Sequence, residues 1–408
     1  MAKRILLEPS RTLGEFRLLP GLTTVASSME NVSLRTLLAV DPRTGAHTGL
    51  GIPLLASAMQ SVSGPRMAIA LARCGGAAVI YCSQPAVEQA AMVGAVKQAE
   101  VGAGHDAALG SDGRLLSLAA INTRDYEERV PLLAAAGVDG VAIDSSDGFS
   151  VFQQACLEFL GSRFPGLPVV AGNVITAAGF AFLADHGAWA VKVGMGSGSI
   201  CITQEQKGTG RGLATALIDV CGQRDRLAER TGRYVPVIAD GGVFTAKDIA
   251  MALAIGADTV MMGRYFARVD ESPTEAVTMD GKVMKPYWGE GSARAREWRQ
   301  ARYSQVTFEE GVEGYVECAG PVAASLEATL SKIRASLSSC GCATIAELHE
   351  QAEIELVSAL SIREGDVHDV HMPGAGAASG PGPRGCRGGH RNGGRGRRGP
   401  AHDPEPQT

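Results

Sequence analysis

Residues 140–164 read GVAIDSSDGFSVFQQACLEFLGSRF, and this stretch contains the unit from which we predict the fold. The apolar run at 140–144 predicts a buried strand, the polar residues after it predict a loop, and 149–164 predict a helix. The same succession recurs along the chain, with further strands predicted at 53–58, 76–81, 115–121, 168–171, 188–193, 235–239 and 257–262. Eight strand–helix units favour a (β/α)8 barrel over a doubly wound parallel sheet.

Helices are predicted between these strands. Their bounds are 64–74, 87–100, 124–136, 149–164, 177–187, 212–231 and 245–255. The last of them contains Thr245 and Asp248, which are spaced like an N-cap residue and its partner three positions later. We therefore expect the helix after the seventh strand to begin at Thr245.

Polar residues follow most of the predicted strands directly at their carboxyl ends. They are Ser57, Asn122, Asp144-Ser145-Ser146, Gly172-Asn173, the loop at 194–205, Asp240-Gly241-Gly242 and Gly263-Arg264. Any one of them has a simpler explanation as a turn-forming residue. Because the carboxyl ends of all strands in a barrel meet on one face, we predict that these residues line a single active site.

The 408 residues divide into a predicted catalytic barrel at 1–373 and a tail at 374–408. The net charge is −5, and six Arg against two acidic residues give the tail +4, which leaves about −9 for the barrel. An acidic barrel is not expected to bind nucleic acid. We expect the Gly/Arg/Pro-rich tail to be disordered, with RNA binding through its arginines as the alternative.

Neither a membrane span nor a signal peptide is expected. No apolar run approaches about 18 residues, and Glu8-Pro9 interrupts the apolar stretch near the start of the chain. The nine cysteines lack C-x-x-C spacing. We therefore expect free thiols rather than disulfides or a zinc site, and a cytoplasmic location.

Two segments depart from a minimal barrel. Residues 101–113 form a Gly-rich linker between the second predicted helix and the third strand. Residues 270–320 are too long for a simple loop, and long insertions at a barrel mouth act as lids or binding loops. We predict a flap insertion at the C-terminal face.

The loop GMGSGSICITQE at 194–205 carries the candidate nucleophile, Cys201. Its alternating glycines let the backbone approach a ligand closely, and Thr203 is suited to orient a substrate group or water. For the loop alone, an incidental buried cysteine is the simpler interpretation. No histidine is obviously placed as a base. Arg302-Tyr303 in the insertion is the unusual candidate, since arginine is normally protonated and more often forms surface ion pairs.

A phosphate site is predicted where the last two strands end. Its candidate donors are the backbone N–H groups of Gly241, Gly242 and Gly263 and the hydroxyls of Ser199 and Tyr287. Barrels commonly hold phosphate at such helix starts. Asp240, an acceptor beside these donors, suits a pair of sugar hydroxyls, although it could also serve only in a turn. A nucleoside monophosphate is therefore a plausible ligand.

Together these motifs resemble the inosine-5′-monophosphate (IMP) dehydrogenase family. The resemblance runs from about residue 7 to residue 369 and is closest to the protozoan, Tritrichomonas-type members. It rests on the segments 194–203, 144–146, 172–173, 240–242, 287–292, 302–303 and 309–312. GMP reductases share the cysteine loop, whereas Arg302-Tyr303 matches the dehydrogenases.

The resemblance implies oxidation of IMP to XMP by NAD+ in guanine nucleotide synthesis. The Cys201 thiolate would add to C2 of the purine, hydride would pass to NAD+, and Arg302, with Tyr303 and Thr203, would activate the water that hydrolyses the covalent intermediate. NADPH-dependent reduction of GMP is one alternative. A catalytically silent barrel that binds partners through its tail is another.

The resemblance also assigns individual contacts. Phosphate and ribose would be held by Ser57, Ser199, Asp240, Gly241, Gly242, Gly263, Arg264, Tyr287 and Gly289, and the base would be faced by Glu290, Gly291 and Glu310. NAD+ would meet Asp144, Ser145, Ser146, Asn173, Gly194 and Gly196. A potassium ion would lie on the carbonyls of Gly196, Gly198 and Cys201. The resemblance further implies a homotetramer, and the 101–113 linker stands where most members carry a paired CBS module.

Overall fold

The strands of this protein were assigned in a computed structural model that describes residues 5–102, 106–296 and 308–368. They are β1 Phe16–Leu18, β2 Thr36–Val40, β3 His47–Leu50, β4 Leu54–Ala56, β5 Ala77–Ile80, β6 Leu118–Ile121, β7 Gly140–Ile143, β8 Val169–Val174, β9 Ala190–Val193, β10 Val237–Asp240, β11 Thr259–Met262, β12 Val277–Met279, β13 Lys282–Trp288, β14 Glu313–Glu317 and β15 Ile354–Leu356.

The helices alternate with the central strands. They are α1 Pro65–Arg73, α2 Ala86–Gln98, α3 Tyr126–Ala135, α4 Val151–Arg163, α5 Ala177–Asp185, α6 Thr203–Lys207, α7 Leu213–Thr231, α8 Ala246–Ile255, α9 Arg264–Ala267, α10 Ala293–Arg296, α11 Val322–Ser339, α12 Ile345–Gln351 and α13 Ala359–Glu364. A short 3-10 turn, Leu13–Glu15, precedes β1.

Strands β4 to β11 close into a parallel barrel, in which β11 pairs with β4. This confirms the predicted (β/α)8 architecture. Most of these strands are buried along their whole length because side chains fill the inside and helices cover the outside. The predicted bounds differ from the observed ones by a few residues. The largest strand shifts are three residues, at the start of β6, which was predicted from 115 and begins at Leu118, and at the end of β8, which was predicted to 171 and ends at Val174.

The predicted start of α8 is also confirmed. Thr245 Oγ1 accepts a hydrogen bond from Asp248 N at 3.3 Å, and Asp248 Oδ2 accepts one from Thr245 N at 3.0 Å. These reciprocal bonds satisfy backbone donors that the first helical turn leaves unpaired.

We expect Thr245→Ala to lower the free energy of unfolding by about 1 kcal/mol, because the N-cap oxygen is lost while the fold is retained. Urea unfolding followed by circular dichroism measures the change. Thr278→Ala, at an exposed position of β12, is the control and should leave the free energy nearly unchanged. Equal stability of the two variants would contradict the capping role.

A hairpin that the sequence analysis did not predict lies under the barrel. Strands β2 and β3 pair antiparallel, and their buried Leu38 and Ala39 border the lower interior of the barrel beside Leu55. The hairpin is attached by Val40 N, which donates to Trp189 O at 3.0 Å. It closes the N-terminal end of the barrel, opposite the predicted site.

The predicted linker joins α2 to β6, and a buried lysine helps to hold it to the barrel. Lys97 Nζ lies 2.9 Å from Asp112 and 2.8 Å from Asp139. Burial raises the pKa of Asp139 despite the nearby ammonium group, whereas the hydrogen bond from Lys97 helps lower the pKa of the exposed Asp112. Residues 103–105 lie outside the described part of the linker.

Within the 270–320 insertion, β12, β13 and β14 form an antiparallel sheet. It is joined to the barrel through Ser61 Oγ, which donates to Trp288 O at 3.0 Å. Residues 297–307 lie outside the described structure. The chain divides into two units, Met1–Ile362 and Arg363–Thr408. The predicted tail at 374–408 also lies outside the described residues. Among the helices of the described residues, none is long and apolar enough to cross a membrane.

Candidate active site

A cleft opens at the carboxyl ends of the barrel strands. Most residues that the sequence analysis assigned to the site line this cleft: Ser57, Asp144, Ser146, Asn173, Gly194, Gly196, Gly198, Cys201, Thr203, Asp240, Gly241, Gly263, Tyr287, Gly289, Glu290, Gly291 and Glu310. The closed barrel brings these distant segments to one face.

Four assigned residues do not line the cleft in this state. Ser199 and Arg264 are exposed, while Ser145 and Gly242 lie beside lining residues. Their proposed ligand contacts stay predictions. The assigned Arg302 and Tyr303 lie outside the described residues.

Cys201 lies between β9 and the short helix α6, which the sequence analysis did not predict. Its sulfur is 3.1 Å from Thr203 Oγ1, and that hydroxyl donates to Glu310 Oε2 at 3.0 Å. A threonine hydroxyl has only one hydrogen. When Glu310 accepts that hydrogen, the thiol must be the donor to Thr203. The arrangement therefore links the Cys201 thiol to a buried carboxylate through one hydroxyl.

Glu310 comes from the insertion, which approaches the cysteine loop closely. Val312 N donates to Ile200 O at 3.0 Å, and Ile202 N donates to Glu310 O at 3.2 Å. The Glu310 carboxylate is 4% exposed and lies 3.5 Å from Lys207 Nζ. These contacts fix the carboxylate beside the thiol.

The predicted phosphate turn has two glycines with positive φ, +80° at Gly241 and +70° at Gly242. Within the described residues, the N–H groups of Gly242 and Val243 donate no backbone hydrogen bond. Two adjacent free N–H groups in such a turn form an anion-binding concavity.

Tyr287 lies against Gly263, the residue that follows β11. A β-carbon on Gly263 would lie 2.6 Å from the Tyr287 hydroxyl, so a larger residue there would require the Tyr287 side chain to move. Burial and the negative charge of Asp240 raise the pKa of Tyr287. The phenol therefore stays protonated at neutral pH and can donate to an anion.

Asp240 and Asn173 are joined across the cleft. Asn173 Nδ2 donates to Asp240 Oδ2 at 2.8 Å and to Gly194 O at 2.9 Å. The amide fixes the orientation of the carboxylate, a contact that the sequence analysis did not foresee because it assigned Asn173 only to the dinucleotide.

The amino-acid sequence matches the family model for the IMP dehydrogenase / GMP reductase domain over residues 10–368. The chain belongs to this family. Of the curated relatives, the inosine-5′-monophosphate dehydrogenase of Tritrichomonas foetus is 37% identical over an alignment that is 487 positions long, gaps included, and covers 89% of this chain and 96% of that protein.

Bacterial members of the family match a shorter part of the chain. The inosine-5′-monophosphate dehydrogenases of Haemophilus influenzae and Escherichia coli K12 are 40% and 39% identical over 266 residues. In both comparisons the match covers 63% of this chain and 53% of the relative. The chain thus spans about half the length of these bacterial relatives.

Glu290 is held by residues that the comparison with family motifs did not identify. Gln60 N donates to Glu290 Oε1 at 2.7 Å, and the Ser83 hydroxyl donates to Glu290 Oε2. The Gln60 side chain in turn accepts a hydrogen bond from Trp288 Nε1 at 3.0 Å. Gln60 and Ser83 follow β4 and β5, so their position after a strand was the signal that could have found them.

Two further polar residues of the cleft lining were not assigned to a substrate or cofactor by the sequence analysis. Lys192, on β9, is 3% exposed and has no ion-pair partner among the described residues. Ser197 belongs to the cysteine loop and lies against the Gly241-Gly242 turn. Their strand and loop were recognised, but not the direction of their side chains.

Proposed function

We propose that this chain oxidises IMP to XMP and reduces NAD+, a reaction of guanine nucleotide synthesis. The observation that carries the proposal is that the Cys201 thiol and Gly241, the first residue of the glycine turn, line one cleft. Family membership supports it, as does 37% identity to a Tritrichomonas protein named for this activity.

The proposed first step is attack by the Cys201 thiolate on C2 of the hypoxanthine. A C–S bond forms, and the C2–H bond then breaks as its electron pair leaves with hydrogen to reduce NAD+ to NADH. The purine stays bonded to sulfur. The hydrogen-bonded path from Cys201 through Thr203 to Glu310 offers the thiol proton a carboxylate acceptor.

The proposed second step is hydrolysis of this covalent intermediate. Water forms a C2–O bond, the C–S bond breaks, and the thiolate returns as XMP is released. Arg302, with Tyr303, is the proposed water activator, and this assignment rests on the family resemblance. Thr203 supports this step because its hydroxyl lies 3.1 Å from the sulfur at which the bond breaks.

The nucleotide is proposed to lie with its phosphate at the glycine turn and its ribose at Asp240. Free N–H groups, the Tyr287 hydroxyl and the positive-φ glycines fit a phosphate monoester. Ser57, Ser199, Gly263, Arg264 and Gly289 are proposed to complete these contacts, and Gly291, Glu290 and Glu310 to face the base.

NAD+ is proposed to lie against residues that follow β7 and β9 and against one residue in the last part of β8. The proposed contacts are Asp144, Ser145, Ser146, Asn173, Gly194 and Gly196. All but Ser145 line the cleft that contains Cys201, so they are within the same open space as the thiol. When bound, the nicotinamide ring supplies the hydride acceptor.

A potassium ion is proposed at the carbonyls of Gly196, Gly198 and Cys201. Gly196 O accepts from Gln204 Nε2 at 2.9 Å, and Gly198 O accepts from Cys201 N at 3.1 Å. Each carbonyl keeps a second lone pair for a cation. A homotetramer is proposed from the family resemblance.

Regulation through a CBS module is not part of the proposed function. Only residues 99–117 separate α2 from β6. The alignment to the Tritrichomonas protein spans 487 residues but covers only 89% of this 408-residue chain, so that protein has residues without a counterpart here. Both facts support a barrel that works without an inserted regulatory domain.

Incubation of the purified protein with IMP and NAD+ should produce NADH, because hydride leaves C2 before hydrolysis. Absorbance at 340 nm measures it, and mass spectrometry of quenched protein should detect a purine adduct on the Cys201 peptide. Matched reactions without IMP are the control. Loss of GMP with NADPH oxidation, and no NADH from IMP, would favour GMP reductase. Absence of both activities and of the adduct would favour a silent barrel.

A further inference from the structure

The hydroxyl of Ser197 has an unusual position for a polar group. Its oxygen is fully buried and has no hydrogen-bond partner. Leaving a buried hydroxyl unpaired is unfavourable, and nearly all such groups in folded proteins are paired. The residue belongs to the cysteine loop and lines the active-site cleft, so a bound ligand is a candidate partner.

The Ser197 oxygen lies directly over the glycine turn. A β-carbon on Gly241 would be 2.9 Å from Ser197 Oγ, and one on Gly242 would be 3.4 Å from it. Within the described residues, Gly242 and Val243 carry N–H groups without acceptors on this turn. The unpaired Ser197 hydroxyl therefore adjoins a turn that carries two further unpaired donors.

We propose that Ser197 is a phosphate ligand and helps the site to select a nucleotide over a nucleoside. Its hydroxyl donates to an oxygen of the 5′-phosphate that the N–H groups of the turn also bind. This inference rests on the proposed function, since it takes a phosphate monoester as the substrate. A phosphate has enough acceptor oxygens for all three donors, and it satisfies them together.

Binding requires a small displacement of the loop, because the Ser197 oxygen is closed off from solvent. The loop has glycines on both sides of Ser197, and Gly196 has φ +70°. Backbone without side chains adjusts at low cost. The phosphate thus replaces the contact between Ser197 and the turn.

Ser197→Ala should raise the KM for IMP about tenfold and change kcat less than twofold, because one hydrogen bond to a charged group is lost away from C2. Ser197→Gly should do the same, which separates loss of the hydroxyl from a packing defect. Ser162→Ala, exposed on α4, is the matched control and should leave KM unchanged.

A second measurement uses inorganic phosphate alone and does not depend on activity. Phosphate should raise the melting temperature of the unsubstituted protein, and it should raise those of Ser197→Ala and Ser197→Gly less. Equal shifts together with unchanged KM would overturn the assignment. An equal fall in kcat and kcat/KM would also overturn it, because it would place Ser197 in the chemical step. Absence of NADH formation by the unsubstituted protein would overturn the proposed function, while the phosphate shift would still test Ser197.

Discussion

Cys201→Ala is expected to reduce NADH formation from IMP about 10⁴-fold or more. Among the residues that line the cleft, no other cysteine could replace it as the nucleophile. The other cysteines are poorly placed. Burial raises the pKa of Cys156 and of Cys221 to about 12, so both stay protonated at neutral pH. Steady-state absorbance at 340 nm gives the rate, and mass spectrometry should find no purine adduct on the variant.

The control for this substitution is Cys74→Ala, at the end of α1. The Cys74 thiol has a pKa raised by burial and does not line the cleft. This variant should keep its rate and its adduct on Cys201. If Cys201→Ala formed NADH at the rate of the unsubstituted protein, covalent catalysis by this residue would be wrong.

Arg302→Ala is expected to slow hydrolysis more than hydride transfer. The first turnover should remain fast, because attack by Cys201 and hydride departure precede water activation. The covalent intermediate should then accumulate, with a steady-state rate about 10²-fold or more below normal, which is the usual size of a lost general-base contribution. Stopped-flow absorbance should show a burst of one NADH per active site, followed by very slow turnover.

Arg163→Ala is a suitable comparison, because Arg163 ends α4 on the outside of the barrel. Arg163→Ala should show the same burst of NADH and the same steady-state rate as the unsubstituted protein. Mass spectrometry during the slow phase should find most of the Arg302→Ala protein as the Cys201 adduct. An unchanged steady-state rate for Arg302→Ala would exclude it as the water activator.

The strand and helix order could be predicted because each unit has a local signal. An apolar run of strand length followed by turn residues marks β7. The capping pair Thr245 and Asp248, three positions apart, marks the start of α8. The cysteine loop could be recognised because its glycines and Cys201 are adjacent in sequence. Barrel closure then put these loops on one face.

The contacts that orient the reactive groups could not be predicted in this way. Ser83 and Glu290 are 207 positions apart, and Asn173 and Asp240 are 67 apart. No spacing within a segment specifies which distant side chain completes a hydrogen bond. The hairpin under the barrel was missed for a similar reason, since its burial depends on the strands above it.

The amino-acid sequence by itself determined the barrel, the cysteine loop with its candidate nucleophile and the glycine turn, since each depends on residues close together along the chain. Only the tertiary structure decided that the Cys201 proton has a path to Glu310 and that the Ser197 hydroxyl lies unpaired over the turn. Hydrogen bonding depends on distances of about 3 Å between atoms, and folding sets those distances across loops that are far apart in the sequence.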